Sequence, residues 1–149
     1  MGKLKKQCTE VMENNTVDVC NTIIFTASVL QQKIKNFLLP YDVTHQQFKV
    51  LCLLQNNKEA MSTINLRDKM MDKMSDTSRI VDRLVAKKMV VKKSHNIDKR
   101  KVEVTITEAG IKLLTVINKN APKLDDILKK ITKAELKNLY MLLDKITAH

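Results

Sequence analysis

The chain has 149 residues, of which 27 are Lys or Arg and 16 are Asp or Glu, so its formal net charge is +11. This length suits a single domain with a real hydrophobic core and is short for two independently folded domains. Aromatic residues make up only 3 % of the chain, and there are two Gly and two Pro. Leu, Ile, Val and eight Met must therefore supply the core, which argues against an all-β fold and predicts a mainly helical one.

Several functional classes lack the residues they require. No run of about 18 apolar residues occurs and the start of the chain has no apolar signal segment, so we expect a cytoplasmic protein without membrane association. Cys8, Cys20 and Cys52 are odd in number and widely spaced, which provides neither a disulfide framework nor a CxxC metal pair. No HExxH, GxSxG or phosphate-cradling glycine loop is present. We therefore expect no enzyme activity, no cofactor and no metal site.

The first predicted helix begins near Val17 and ends at Pro40, which cannot continue it. Its apolar residues recur at helical spacing and form one stripe along roughly six turns. The residues of this stripe are Cys20, Ile23, Ile24, Ala27, Leu30, Ile34, Phe37 and Leu38. A stripe of this length requires a partner surface, either the body of the domain or the same region of a second copy.

Three further helices are predicted before the middle of the chain. Thr44 and Gln47 form a capping-box pattern that starts a helix over about 44–56. A short third helix spans Ser62 to Met71, and a fourth begins near Ser75. The third and fourth helices form a helix-turn-helix. In the fourth, helical spacing buries Thr77, Ile80, Val81, Leu84 and Val85 and exposes Ser75, Asp76, Ser78, Arg79, Asp82 and Arg83.

A strongly basic hairpin is predicted next. Val90 and Val91 open one strand, and residues 102–106 alternate apolar and polar side chains as a second strand. The connection, residues 94–101, is too long and too polar for a tight turn and must project as a loop. From Arg83 to Lys101 there are eight Lys or Arg residues against one acid, a local charge of +7. This order of elements is the outline of a winged helix, and the charge suggests a polyanion partner, most simply duplex DNA.

Two helices close the chain. Thr107 caps a long helix in which Pro122 is expected to produce a kink, and Thr132 with Glu135 forms a second capping box ahead of the terminal helix. Both are amphipathic, as is the first helix, so we infer that the helices at the two ends of the chain build a dimer. A two-fold dimer reads two half-sites about 34 to 36 Å apart. The alternative is a bundle formed within one chain.

The residues TSRIVDRL at 77–84, followed by DKRKVEVTITEAG at 98–110, resemble the MarR family of bacterial winged-helix regulators. The resemblance covers nearly the whole chain, and the two motifs together at consistent spacing are specific. The family's helix pattern falls on Ser78, Arg79, Val81, Asp82, Arg83 and Leu84, and its wing pattern falls on Asp98, Arg100, Ile106, Thr107 and Gly110. The chain departs from the family pattern at Arg67, Met71 and Lys88, where small residues or Gly are usual.

The resemblance implies a mainly α fold with a small β-hairpin. Residues 1–149 would form a single domain, with a winged helix-turn-helix DNA-binding lobe at 44–107. N- and C-terminal dimerisation helices would flank the lobe at 8–39 and 108–149. The implied function is that of a sequence-specific, double-stranded DNA-binding transcriptional regulator, a homodimeric repressor that binds a palindromic operator and is released by a small phenolic or anionic effector.

The candidate DNA-binding residues lie on the fourth helix and the wing. Ser78 and Arg79 near the helix start can reach base edges or phosphates, although Arg79 can instead pair with Asp82 on the surface. Arg83 contacts phosphate or pairs with an acid of the domain. Arg100 enters the minor groove and Asp98 holds it, or Asp98 simply forms the turn. The remaining candidates are Ser75 and four expected phosphate contacts, Lys92, Lys93, Lys99 and Lys101.

The nature of the signal stays open. Phe37, Tyr41 and Phe48 are candidates to line an effector pocket, with an ordinary core role as the alternative. Cys20 falls where the organic-hydroperoxide-sensing branch of the family keeps its reactive cysteine, but the assisting tyrosines are missing, and a small core thiol is the simpler interpretation. A function of another class is a helical interaction module that binds an acidic protein or RNA, which would not require the hairpin loop.

Overall fold

The computed structural model describes residues 16–57, 59–70, 76–94, 102–120 and 128–148. Within these ranges the helices are α1 (Thr16–Leu38), α2 (His45–Asn56), α3 (Thr63–Lys69), α4 (Thr77–Ala86), α5 (Glu108–Asn120) and α6 (Lys133–Thr147), and a 3₁₀ turn spans Leu39–Tyr41. The strands are β1 (Met61–Ser62), β2 (Val90–Ser94) and β3 (Val102–Ile106). The predicted mainly α fold is confirmed. None of the described helices is long and apolar enough to cross a membrane.

The helix ends follow the predicted local signals. Pro40 lies in the 3₁₀ turn that terminates α1. The hydroxyl of Thr44 accepts the N–H of Gln47 at 3.2 Å, and the Gln47 side chain accepts the N–H of Thr44 at 3.0 Å. Thr132 and Glu135 form the same reciprocal pair at the start of α6, and these hydrogen bonds lower the pKa of the Glu135 carboxyl. Both predicted capping boxes are confirmed. The kink expected at Pro122 lies outside the described residues.

The sheet has one more strand than expected. β2 and β3 pair antiparallel as the predicted hairpin, with Val90 opposite Ile106. β1 adds to the other side of β3, pairing Met61 with Val104, so the order is β1–β3–β2. The predicted hairpin is confirmed, and β1 is an additional strand that was not predicted. A strand of two residues has no alternating pattern that a sequence can display.

The chain divides into two compact units, Met1–Lys33 and Ile34–His149. In the second unit, one face each of α2, α3, α4 and α5 packs against the inner face of the sheet to form the core. Its most deeply buried members include Val50, Leu51, Leu66, Val81, Leu84, Val90, Val104 and Leu114. Val85 was expected to be buried but is 36 % exposed. It lies at the edge of the buried face of α4, whereas Val81 and Leu84 lie at its centre. The predicted division into a DNA-binding lobe and dimerisation helices stays a prediction.

Helix α5 begins against the turn that follows α4. The Thr107 hydroxyl lies 2.8 Å from the carbonyl oxygen of Lys88 and accepts the N–H of Gly110 at 3.2 Å. The predicted cap of this helix by Thr107 is thus confirmed. A Cβ atom on Gly110 would stand 2.5 Å from the carbonyl oxygen of Met89, which is closer than any stable contact. Gly110 is therefore required by the close approach of α5 to this turn.

The turn itself contains a residue in the left-handed region. Lys88 has φ 59° and follows the C-cap of α4. The N–H of Met89 donates to the carbonyl of Leu84 at 2.9 Å, and the N–H of Lys88 donates to that of Val85 at 2.8 Å. These two bonds define a Schellman motif, whose left-handed position is usually glycine. The side chain of Lys88 makes this position strained.

We expect Lys88→Gly to stabilise the protein by about 1 kcal/mol, because glycine adopts the left-handed conformation without a steric penalty. Urea unfolding followed by circular dichroism measures the difference. Lys112→Gly, in the interior of α5, is the opposite control and is expected to destabilise by a similar amount. An equal loss of stability in both variants would contradict the strain assigned to Lys88.

Candidate nucleic-acid interface

Two side chains fix the start of α4, one exposed to solvent and one buried in the protein. Asp76 is the N-cap, and its carboxylate accepts the N–H of Arg79 at 3.2 Å. Thr77 is buried, 4 % exposed, and its hydroxyl donates to the sulfur of Met70 at 3.9 Å. Ser78 and Arg79 are consequently exposed in the first turn, as predicted. The helix begins at Thr77 rather than near Ser75, which lies outside the described residues.

Arg79 forms an ion pair, but not the one considered from the sequence. Its Nε lies 3.1 Å from the Asp76 carboxylate, whereas Asp82 pairs with Lys92. The expected alternative pairing of Arg79 with Asp82 was therefore wrong. The Arg79 side chain is 81 % exposed. An exposed pair of this kind contributes at most about 1 kcal/mol, so the guanidinium can leave Asp76 for a stronger partner.

Lys92 connects the wing to α4. Its ammonium group donates to the carboxylate of Asp82, so strand β2 is tied to the exposed side of the helix. The carboxylate of Asp82 thereby offsets part of the positive charge of Lys92. Lys93 is exposed on the next position of β2, opposite Glu103 in the register. The roles of both lysines toward phosphate stay predictions.

The wing loop carries the other predicted site residues. Asp98, Lys99, Arg100 and Lys101 lie outside the described residues. The two strands that flank the loop are paired up to Ser94 and Val102, which are opposite each other. The proposed minor-groove contact of Arg100 therefore stays a prediction that rests on the family resemblance.

A cleft of about 730 Å³ lies between the end of α1, the segment that follows it, the start of α2 and the end of α4. Leu39, Val43 and Ala86 contribute apolar wall. Lys87 crosses the cleft and binds Asp42, with its Nζ 2.8 Å from the carboxylate, and it also donates to the backbone carbonyl of the same residue. This pair connects α4 with the segment between α1 and α2.

Two further cations line the cleft. Lys35 and Arg83 have no described carboxylate within ion-pair distance, whereas Lys87 is neutralised by Asp42. His45 also lines the cleft, and burial lowers its pKa, with the neighbouring Lys49 cation adding to the effect, so the imidazole is neutral at pH 7. The cleft therefore combines apolar walls with a net positive charge, which suits a small organic anion.

The three aromatic residues proposed for an effector pocket pack elsewhere. The rings of Phe37 and Tyr41 lie 5.8 Å apart, and both side chains, with Phe48, pack against Leu38, Val43 and Ile117. None of the three lines the cleft at the end of α4. Their arrangement is that of a small hydrophobic cluster, and a ligand-binding role for them stays a prediction.

The cysteines differ in environment. Cys20 is exposed on α1, whereas Cys52 is partly buried on α2, and burial raises the pKa of its thiol. A raised pKa disfavours the reactive thiolate, so Cys52 is an ordinary core thiol. Cys8 lies outside the described residues. A redox role for Cys20 stays a prediction.

Two helices carry large apolar side chains at the surface. On α1, Val17, Ile24 and Phe25 are 58 %, 67 % and 45 % exposed. On α6 the exposed side chains are Leu139, Tyr140, Met141, Leu142, Leu143 and Ile146, and no residue of α6 is buried. A run of large exposed apolar side chains such as that on α6 is typical of an interaction site.

The local sequence signalled some of this geometry and not the rest. Asp76 ahead of a helical pattern is an ordinary N-cap signal, but it was predicted only as an exposed residue of the helix. The Lys87–Asp42 and Lys92–Asp82 pairs were missed. Each joins different elements, so no spacing along the chain indicates them.

Part of the chain matches a known family, and nearly all of it is similar to known proteins. The model of the MarR family matches residues 43–102. The multiple antibiotic resistance protein MarR of Salmonella typhimurium is 29 % identical over 142 residues, which cover 89 % of this chain and 97 % of the relative.

Among solved structures, the chain is similar to a cysteine-to-serine mutant of MarR from E. coli in complex with operator DNA. The two structures superpose with a TM-score of 0.81 at 25 % sequence identity, and the match covers 93 % of this chain and 99 % of that one. Bordetella bronchiseptica BpsR, whose DNA binding is regulated by 6-hydroxynicotinic acid, has the same fold, with a TM-score of 0.81 at 21 % identity and the same coverage.

Proposed function

We propose that the chain is a DNA-binding transcription regulator of the MarR family and acts as a homodimeric repressor, released from a palindromic operator by a small organic anion. The observation that carries the proposal is the exposed first turn of α4. Thr77 is buried beneath it, and Ser78 and Arg79 project from the opposite side. In this proposal the chain has no catalytic role.

The first turn of α4 has the chemistry of a major-groove reader. A guanidinium group donates two hydrogen bonds to the O6 and N7 atoms of guanine, and a hydroxyl group bonds either a base edge or a phosphate. Arg83 near the end of α4 and Lys93 on the adjacent wing are exposed cations suited to bind phosphate. Base contacts at the helix start and phosphate contacts around it would position α4 in the groove.

We expect Arg79→Ala to weaken binding to a duplex from the promoter of the chain's own gene by roughly tenfold or more, because a bidentate base contact contributes about 1–3 kcal/mol of discrimination. Ser78→Ala should have a smaller effect in the same direction. Fluorescence anisotropy measures both, and transcription from that promoter should rise in a strain that carries Arg79→Ala.

Lys137→Ala, an exposed change of equal charge on α6, is the control and should bind as the wild type does. Equal affinities of Arg79→Ala and the wild type, on the promoter duplex and on a scrambled one, would rule out the assigned reading surface.

The exposed apolar side chains of α1 and α6 support the proposed dimer. Side chains such as Ile24 and Leu142, 67 % and 61 % exposed in the single chain, gain about 25 cal/mol per Å² when a second copy removes them from water. A repressor with two reading helices also binds two half-sites at once, which is the reason for a palindromic operator. The dimerisation segments proposed are those predicted from the sequence, 8–39 and 108–149.

Light scattering of the wild type at micromolar concentration should give about twice the chain mass of 17.1 kDa. Leu142→Glu should shift the mass toward one chain, since a carboxylate cannot enter an apolar interface without a partner. Lys137→Glu on the same helix is the matched control. A wild-type mass equal to that of one chain would exclude the dimer.

The effector site proposed is the cleft at the end of α4. Lys35 and Arg83 are the cations that would bind a carboxylate, and the wall at Leu39 and Ala86 would receive its apolar part. Arg83 is also a candidate phosphate contact. An anion that binds Arg83 in the cleft therefore competes with DNA for the same guanidinium, and DNA lowers the affinity for the anion by the same factor.

Benzoate serves as the probe and benzamide as its neutral counterpart. We expect millimolar benzoate, but not benzamide, to weaken binding to the promoter duplex and to raise the Tm of the free protein. Ala86→Leu, which fills the cleft at an exposed helical position, and Lys35→Gln, which removes one cation, should each reduce these effects. Benzoate binding that is equally strong in both variants, or absent in the wild type, would exclude the cleft.

A further inference from the structure

A second, smaller cleft lies between α3 and the start of α4. Its volume is about 270 Å³, and its walls are Thr63, Ile64, Arg67, Asp76, Thr77 and Ser78. In α3, Arg67 follows Thr63 by four positions and Ile64 by three, so it lies on the same side of the helix as both. The opposite wall contains Ser78, a proposed DNA contact. The cleft therefore opens beside the turn of α4 that is proposed to enter the major groove.

Arg67 is the long cationic side chain of α3 in this cleft. Its guanidinium has one described carboxylate within reach, that of the adjacent residue Asp68, at 3.7 Å. The two side chains are 57 % and 65 % exposed. A pair at this distance, between neighbouring exposed residues, holds the guanidinium only weakly. Arg67 can therefore exchange Asp68 for another anion.

The carboxylate within the cleft is already satisfied. Asp76 accepts the backbone N–H of Arg79 at 3.2 Å and lies 3.1 Å from the Nε of the same residue. The cap bond to the backbone of Arg79 keeps Asp76 at the start of α4, and the ion-pair partner of Asp76 is Arg79 rather than Arg67. Arg67 is therefore the cation of the cleft wall that an outside anion can bind once it replaces Asp68.

From these contacts we infer that Arg67 binds a DNA phosphate next to the base pairs read from the first turn of α4. The inference rests on the DNA-binding role proposed above. In a helix-turn-helix the first helix crosses the backbone while the second lies in the groove, so a cation on the face of α3 toward α4 meets phosphate. Because the family pattern has a small residue at this position, the contact is a feature of this chain.

The test compares Arg67→Ala with Lys69→Ala. Lys69 is an exposed cation on the same helix, does not line the cleft, and its replacement changes the net charge equally. Binding is measured over a series of salt concentrations, with a duplex from the promoter of the chain's own gene and with a scrambled duplex. A third duplex series replaces single phosphates near the bound site with neutral methylphosphonates.

Arg67→Ala should weaken binding about tenfold on both natural-backbone duplexes, because a charged hydrogen bond to phosphate carries no base information. It should also lower the slope of log K against log salt by about one, whereas Lys69→Ala leaves both quantities closer to the wild type. One methylphosphonate position should abolish the difference between wild type and Arg67→Ala.

Equal effects of the two substitutions would show that only general charge is involved and would overturn the inference. An unchanged salt slope in Arg67→Ala would also overturn the inference. If Arg79→Ala still loses its preference for the promoter duplex in that case, the proposed function stands. Failure of the wild type to bind any of the duplexes would contradict the proposed function itself.

Discussion

The burial of one face of α4 is the constraint on which the interface depends. The exposed fraction of Thr77, Val81 and Leu84 is 4 % or less. The three residues lie on one side of the helix because it turns by about 100° per residue. Once that side is packed against α2, α3 and β2, Ser78 and Arg79 have only the solvent side available. Reading residues held by a packed helix are positioned more accurately than residues on a loop.

Both ends of α4 are fixed by contacts outside its own hydrogen bonds. At the start, the Asp76 cap and the bond from buried Thr77 to Met70 set where the first turn begins. At the end, the Schellman turn and the ion pair between Lys87 and Asp42 connect the helix to α5 and to the segment after α1. The exposed ion pairs are weak individually. They add contacts between α4 and neighbouring elements beyond those of its packed face.

Much of the fold was predictable because the determining signals are local. Thr44 with Gln47 and Thr132 with Glu135 are reciprocal caps within four residues, and the structure contains both. The period of α4 placed Val81 and Leu84 inward correctly. The two-residue strand β1 was not predictable, since it exists only through pairing with β3. Val85 was placed wrongly because periodicity gives the centre of a buried face but not its width.

The sequence by itself determined the helices, the hairpin, the basic segment and the candidate reading residues Ser78 and Arg79, since each is encoded within a few consecutive turns. Only the tertiary structure decided which partners these residues have. Lys87 bonds Asp42 across 45 positions of the chain, and Arg67 shares a cleft with Ser78 because α3 packs beside α4. Such neighbours depend on how the backbone folds back on itself, and no periodicity or spacing records that distance.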